Sequence, residues 1–110
     1  MKKIIWLGNT HETIKSYPDI IRQEAGYNLD KVQRGMNPYD WKPMSLIGLG
    51  VKEIRIHEKN EYRILYVTRF EESIYVLHVF EKKTDQTSMR DINLARKRYK
   101  EILEIRRLNL

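Results

Sequence analysis

Three segments rich in β-branched and aromatic residues carry the side chains of this sequence that could do chemistry. They read VKEIRIHE at 51–58, EYRILYV at 61–67 and IYVLHVFEK at 74–82. Successive side chains of a strand point to opposite faces, and neighbouring strands must agree in register. One face of the predicted sheet therefore collects seven side chains, namely Glu53, Arg55, His57, Arg63, His78, Phe80 and Lys82.

A face with several cations, an aromatic ring and a carboxylate suits a phosphate backbone and a stacked base. The sequence has no metal-ligand cluster, phosphate-binding loop or nucleophile triad. We therefore predict a site that uses no metal and no cofactor.

The cations of this face also have an ordinary structural interpretation. Lys82 and Lys83 could protect an exposed strand end against edge pairing. Arg63 could form a surface salt bridge with Glu53 or Glu61. Neither interpretation is excluded by the sequence.

The rings of this face likewise have a structural interpretation. His57 lies near a turn and could simply be solvated, whereas His78 lies in the middle of a strand and could be half-buried and hydrogen-bonded. Phe80 would be a core residue by default. Catalytic and structural roles for these rings both remain possible at this point.

Composition favours one small domain with a polyanionic partner. The 110 residues suffice for one domain, predicted over 1–110, and 41% hydrophobic residues can supply its core. The formal net charge of +6 favours nucleic acid, an acidic protein or an anionic surface. The absence of cysteine excludes disulfides and thiol chemistry.

The N-terminus predicts neither export nor membrane insertion. Its apolar run, IIWLG, is too short for the hydrophobic core of a signal peptide or for a membrane span. We therefore expect a cytoplasmic protein without a membrane partner.

The predicted order of elements is β-α-α-β-β-β-α. A strand at 2–8 precedes a helix at 9–17 and a second helix that opens at Ser16 and ends at Gly35. Residues 36–50 predict a loop with a brief extended piece. Three hairpin-linked strands follow, and a last helix runs over 88–110 from a capping box formed by Ser88 and Asp91.

This order predicts an α+β domain with an antiparallel sheet, helices packed on one face and the other face open to water or a ligand. Consistent register requires an odd-numbered loop between the first two strands of the meander, with Asn60 as the left-handed residue. The side chains expected under the helices are Ile54, Ile56, Ile64, Tyr66, Tyr75, Leu77 and Val79.

An ordered set of segments suggests a family. The segments are IIWLG, YPDIIRQEAGYNLDKVQRG, WKPM…IGLGVKEIRI, YRILYV, IYVLHVFEKKT and DINLARKRYKEI, and together they cover nearly the whole chain. In this order they resemble the RelE/ParE superfamily of type II toxins, and most closely its phage-derived HigB-like branch. The resemblance implies a RelE-like fold.

The resemblance also implies an activity and partners. RelE-like toxins are cytoplasmic metal-independent endoribonucleases that cut mRNA, usually on the translating ribosome. An antitoxin, in this branch a small helix-turn-helix protein, keeps the toxin inactive. Outside that complex the toxin is expected to be monomeric.

The resemblance assigns roles to individual residues of this chain by their positions in the matching segments. Arg63 matches the arginine that binds the phosphate and stabilises the transition state, and Lys82 matches the basic residue that ends the next strand. Lys83 is the neighbour that could substitute for Lys82. The preceding strand often supplies a charged residue, and Glu53 or Arg55 occupies that region.

The remaining roles are less determined. Arg55 is a further phosphate clamp, His57 or Glu53 is the base, Phe80 stacks a base of the RNA, and His78 is a reserve acid. The chain departs from many relatives because neither a tyrosine nor a histidine follows soon after the last strand or lies in the tail RRLNL. The identity of the acid and base therefore stays open.

Two other functions fit the same fold. One is a ParE-like toxin that is not a nuclease and binds a protein target such as a topoisomerase. The other is a degenerate relative that binds only its antitoxin.

Overall fold

The structure, a computed structural model, describes residues 1–108, so the end of the predicted last helix, 109–110, lies outside the described residues. Three helices and five strands occur within them. Their order is β1 (Lys3–Trp6), α1 (Thr10–Lys15), α2 (Asp19–Gln33), β2 (Trp41–Pro43), β3 (Val51–Glu58), β4 (Asn60–Val67), β5 (Ser73–Lys82) and α3 (Met89–Leu108).

The predicted α+β class with a mostly antiparallel sheet and packed helices is confirmed. The strands are arranged β1-β5-β4-β3-β2, with β1 parallel to β5 and every other neighbouring pair antiparallel. The brief extended piece expected in 36–50 is β2, which pairs with β3 at the edge of the sheet. At the start of the last helix, the Asp91 amide donates to Ser88 Oγ at 3.1 Å, as the capping-box pattern predicts.

α1 and α2 pack on one face of the sheet, which we call the α2 face. Helical spacing in α2 places Ile21, Ala25, Leu29 and Val32 on its buried side. They meet a row of side chains that alternate along the strands, and Ile54, Ile64, Tyr66 and Val79 lie there as predicted.

The opposite face, which we call the α3 face, is partly covered by α3 and by the loop that precedes β3. Ile92, Ala95, Tyr99 and Ile102 of α3 join Met44, Ile47, Leu65, Val67, Leu77 and Phe80 in a second apolar cluster. Leu65 alternates with Ile64 along β4, so the two clusters lie on opposite sides of the sheet. The expectation that this whole face is open to solvent is therefore wrong.

A β-bulge moves two of the predicted core residues to the α3 face. The register shifts between the pairs Leu65↔His78 and Tyr66↔Val76, which leaves Leu77 as the extra residue of β5. Tyr75 and Leu77, expected under the helices of the α2 face, consequently pack in the second cluster. The alternation of side chains along the sequence does not predict this β-bulge.

The β3–β4 hairpin has the odd-numbered loop that matching faces require. Glu58 pairs with Asn60, so Lys59 alone forms the turn, with φ of 37°. The left-handed residue is therefore Lys59 and not Asn60. The register places Arg55 opposite Arg63, as the common face of these residues predicts.

Candidate functional site

Arg63 lies in the interior of the α3 face. Only 2% of the residue is exposed. Its Nη1 donates to the Tyr62 carbonyl at 3.0 Å and its Nη2 donates to Glu61 Oε1 at 3.0 Å. The expectation that Arg63 projects freely into solvent is wrong, and the alternative of pairing with carboxylates describes its contacts.

Glu53 is the second buried charge of this face. It is fully buried, with Arg63 Nε at 3.5 Å and Lys42 Nζ at 3.9 Å from its Oε1. Within residues 1–108, neither carboxylate oxygen of Glu53 accepts a hydrogen bond. A buried carboxylate requires compensating charge, which Arg63 and Lys42 supply.

Lys42 and Lys82 line a cleft of about 310 Å³, and the contact of Lys42 with Glu53 joins this cleft to the buried pair. Its walls are β2 and the loop after it, the loop after β5, and Ile92 at the start of α3. Lys42 pairs with Glu53 across the strands, so its side chain belongs to the α3 face. Asp85 and Thr87 lie on the wall that follows Lys82. The cleft combines two amines with polar side chains, a composition that suits a phosphate group.

Lys83 does not line this cleft. Its side chain is 78% exposed, and its amine lies 3.8 Å from Glu81 Oε2. Lys83 follows Lys82, the last residue of β5, and pairs with Glu81, whose side chain points to the opposite face from that of Lys82. The expectation that Lys83 could substitute for Lys82 finds no support in this placement.

Arg55 and His57 lie at a different cavity. They line a space of about 260 Å³ at the sheet edge, between β3 and α2, together with Glu24, Asp40 and Glu58. Arg55 is half-buried, and its amide donates to the Asp40 carbonyl at 2.9 Å. The predicted seven-residue set is therefore divided, with only Lys82 at the cleft and Glu53 and Arg63 below it.

His57 is exposed, but both of its ring nitrogens have partners. Nδ1 is 2.6 Å from Glu61 Oε1, and Nε2 is 2.6 Å from Asp40 Oδ2. A general base needs a free lone pair within reach of the substrate. In this arrangement neither ring nitrogen of His57 offers one.

His78 and Phe80 fit their structural interpretation. Their rings stack at 5.1 Å, Phe80 is only 8% exposed, and His78 Nε2 is 2.6 Å from Asp91 Oδ1. Burial lowers the pKa of His78, although the hydrogen bond and charge of Asp91 oppose that shift. Phe80 cannot stack on an RNA base without leaving the second cluster.

Two cleft residues were missed by sequence reasoning. Lys42 lies in a stretch assigned to a loop, and Asp85 lies in the turn after β5. The WKP sequence at 41–43 carried a weak signal for Lys42. If these residues form a strand, the side chain of Lys42 points to one face of the sheet and those of Trp41 and Pro43 point to the other. No comparable pattern marks Asp85.

Residues 1–108 contain neither a cluster of metal ligands nor a membrane-spanning helix. Within residues 1–108, no three or more histidine, aspartate or glutamate side chains gather as metal ligands. None of the helices there is both long and apolar enough to span a membrane.

The fold and the cleft define a class: a small α+β domain, compatible with the RelE-like fold, with two lysines at a cleft and a buried ion pair next to one of them. The family described as "Phage derived protein Gp49-like (DUF891)" matches residues 12–100. The chain therefore belongs to this Gp49-like family, a family of RelE-type, toxin-like proteins. No curated protein matches the chain.

Proposed function

We propose that this protein is the toxin of a type II toxin–antitoxin system and cleaves mRNA on the ribosome in the cytoplasm. Membership of the Gp49-like family supports the toxin assignment. The observation that carries the nuclease assignment is the cleft, which Lys42 and Lys82 line together and where Lys42 contacts Glu53 of the buried Arg63–Glu53 pair. The closer HigB-like relationship belongs to the same proposal.

The proposed reaction cleaves the RNA by joining the phosphorus, already bonded to O3′, to O2′ of the same ribose. The ribose O2′ attacks phosphorus, its proton passes to a base, the bond from phosphorus to O5′ breaks, and the leaving O5′ takes up a proton. Lys42 and Lys82 would offset the charge that develops on the phosphate oxygens. This chemistry needs neither a metal nor a cofactor from the protein.

Two carboxylates adjoin the proposed phosphate position. Asp85 is exposed on the cleft wall, whereas Glu53 is buried next to Lys42. Either carboxylate is a candidate for the base. Comparison of Asp85→Asn with Glu53→Gln in cleavage assays separates the two, since loss of the base costs roughly 10²- to 10⁴-fold in rate.

A matched pair of lysines tests the function in cells. Brief induction of the wild type is expected to stop growth and to create new mRNA 5′ ends. Lys82→Ala removes an amine from the cleft and should abolish both effects, whereas Lys83→Ala, on the other side of the strand, should retain them. New 5′ ends that persist at the wild-type level in Lys82→Ala would contradict the cleft assignment.

The ParE-like alternative has one specific observation in its favour. Arg63, the residue that the resemblance assigns to the phosphate, is buried and engaged by Glu61, Glu53 and a backbone carbonyl. A toxin that binds a protein target such as a topoisomerase would not need that guanidinium. Growth arrest without new mRNA 5′ ends would favour this alternative.

We also propose a helix-turn-helix antitoxin as partner, and a groove of about 620 Å³ beside α2 as its contact surface. Tyr27 and Tyr39 line it with 70% and 87% of their surface exposed. Exposed tyrosines are favoured at protein interfaces. Co-expression of the adjacent reading frame should restore growth, and Tyr27→Ala with Tyr39→Ala should prevent that rescue.

A further inference from the structure

Four charged side chains form a continuous series of contacts from the edge of the sheet to its interior. Asp40 precedes β2, His57 lies on β3, and Glu61 and Arg63 lie on β4. The two His57 nitrogens are each 2.6 Å from a carboxylate oxygen, of Asp40 and of Glu61. The same Glu61 oxygen accepts from Arg63 Nη2 at 3.0 Å. The charges thus alternate in sign along the series when the His57 ring is protonated.

Protonation of His57 decides whether both of its contacts are favourable. A neutral imidazole has one donor and one acceptor nitrogen, whereas an imidazolium has two donors. If the ring were neutral, one nitrogen lone pair would face a carboxylate oxygen at 2.6 Å with no proton between them. With both carboxylates ionised, only the imidazolium makes both contacts favourable hydrogen bonds. Histidine exchanges this proton within the range of about pH 5 to 8.

These contacts also hold the segment that delivers Lys42 to the cleft. Asp40 is attached to β3 twice, through its carboxylate to His57 and through its carbonyl, which accepts from the Arg55 amide at 2.9 Å. Lys42 follows two residues later in β2, a strand of only three residues. Because so short an edge strand has few ladder hydrogen bonds, the attachment of Asp40 contributes much of its order.

We infer that Asp40, His57 and Glu61 form a protonation-dependent clasp, in which His57 is a positioning residue for Lys42 and Arg63 and not the general base. The clasp itself follows from the contacts, and its effect on RNA rests on the proposed function. When His57 loses its proton, one carboxylate contact becomes repulsive and the segment before β2 loosens. Lys42 then leaves its place at the cleft, and RNA binding weakens.

Other charged groups also lie around the imidazole in residues 1–108. Besides the contacting Asp40 before β2 and Glu61 on β4, they come from Arg55 and Glu58 on β3, Arg63 on β4 and Glu24 on α2.

The clasp and a catalytic base have opposite pH dependence. A base must be unprotonated, so a catalytic His57 would make cleavage faster as pH rises through its titration. The clasp is intact only with the protonated ring, so RNA binding should weaken over the same interval. The sign of the change therefore distinguishes a positioning residue from a base.

The test follows one titration with two readouts. NMR of the His57 ring gives the pH at which it loses its proton. Over that interval, the Kd for a labelled single-stranded RNA of about ten nucleotides should rise about two- to five-fold, as expected for a partly exposed ion pair. The hydrogen-exchange protection of the Arg55 amide should fall in parallel. A constant Kd, or a cleavage rate that rises as His57 loses its proton, would overturn the inference.

Substitutions test whether the clasp causes the pH dependence of RNA binding. His57→Gln should bind RNA weakly at every pH, and Asp40→Asn should bind at low pH as the wild type binds at high pH. His11→Gln is a control that should keep the wild-type pH dependence, since His11 stacks on Trp6 and does not hydrogen-bond the His57 ring in residues 1–108. An Asp40→Asn protein with wild-type affinity at low pH would contradict the clasp. If the wild type never cleaves mRNA but the Arg55 amide still responds, the proposed function fails and the clasp stands.

Discussion

The two faces of the sheet use the same strands in different ways. On the α2 face, Ile64 lies between Ile54 and Val79 across the three central strands, and the cluster continues as apolar side chains. On the α3 face, the next residue, Arg63, lies between Arg55 and Phe80. Apolar packing against α3 is therefore interrupted there by charged groups.

This difference indicates where function lies. A buried ion pair is seldom more stable than apolar residues of similar volume, so stability alone does not explain Arg63 and Glu53. The α2 face packs apolar side chains, whereas on the α3 face the buried Glu53 lies 3.9 Å from the amine of the cleft residue Lys42. In the proposed function, the α3 face combines packing with phosphate binding, whereas the α2 face only packs.

The largest expected effect contrasts neighbouring residues on opposite faces. Arg63→Ala leaves buried Glu53 without its closest cation and should lower the free energy of unfolding by about 3–5 kcal/mol. Ile64→Ala, which makes a cavity on the α2 face, should cost about 2–5 kcal/mol. Urea denaturation of both variants measures the two values.

A double substitution sharpens this contrast. Arg63→Met with Glu53→Gln removes both charges and should recover most of the stability lost in Arg63→Ala. If Arg63→Ala costs less than about 1 kcal/mol, the value typical of an exposed ion pair, the buried-pair description is wrong.

Two glycines give a smaller contrast between the regions. A Cβ on Gly48 would lie 2.8 Å from the Tyr99 ring, so Gly48→Ala should destabilise the α3 side by about 1–3 kcal/mol. A Cβ on Gly26 in α2 would meet no atom within 4 Å, and Gly26→Ala should stabilise the protein by about 0.5–1 kcal/mol. Opposite shifts in Tm are expected, and equal shifts would contradict the tight α3 packing.

His78 predicts an acid sensitivity that belongs to the α3 face. Burial lowers the pKa of His78 in the folded state, so the unfolded chain binds the proton more readily. Stability should be highest above the ordinary histidine pKa of about 6.5 and should decrease as pH falls below it. Thermal unfolding from about pH 7.5 to 5 should show this slope in the wild type and a weaker slope in His78→Gln. An unchanged slope in His78→Gln would assign the sensitivity to another group.

The smallest expected effect is a salt dependence. Two lysine contacts with a single strand give a slope of log Kd against log salt of about 1.4, and Lys82→Ala should lower it by about 0.7. Ile64→Val, on the α2 face, should leave the slope unchanged. Equal slopes in the wild type and Lys82→Ala would exclude a phosphate contact by Lys82.

Much of the fold follows from patterns that the sequence displays directly. Alternation in 51–58 and 61–67 predicts the β3–β4 register, and the spacing of Ile21, Ala25 and Leu29 predicts the buried side of α2. Ser88 and Asp91 predict the start of α3. These features depend on local spacing, which single-chain periodicity captures.

The site was less predictable because it depends on non-local events. The bulge at Leu77 changes which face Tyr75 joins, and Arg63, whose charge alone suggested exposure, is buried in contact with Glu61 and Glu53. Lys42 reaches the cleft only because β2 pairs with β3. The catalytic roles predicted for Arg63, Lys82, His57 and Glu53 stay predictions, and the contacts of His57 favour positioning over base catalysis.

The central claim is that the lysine cleft binds the phosphate that is cleaved. Purified protein, ribosomes and one defined mRNA provide its most direct measurement, the rate at which new 5′ ends form. We expect cleavage by the wild type and by Lys83→Ala at similar rates, and a rate about 100- to 1,000-fold lower for Lys82→Ala with unchanged thermal stability. Wild-type cleavage by a folded Lys82→Ala protein would contradict the account.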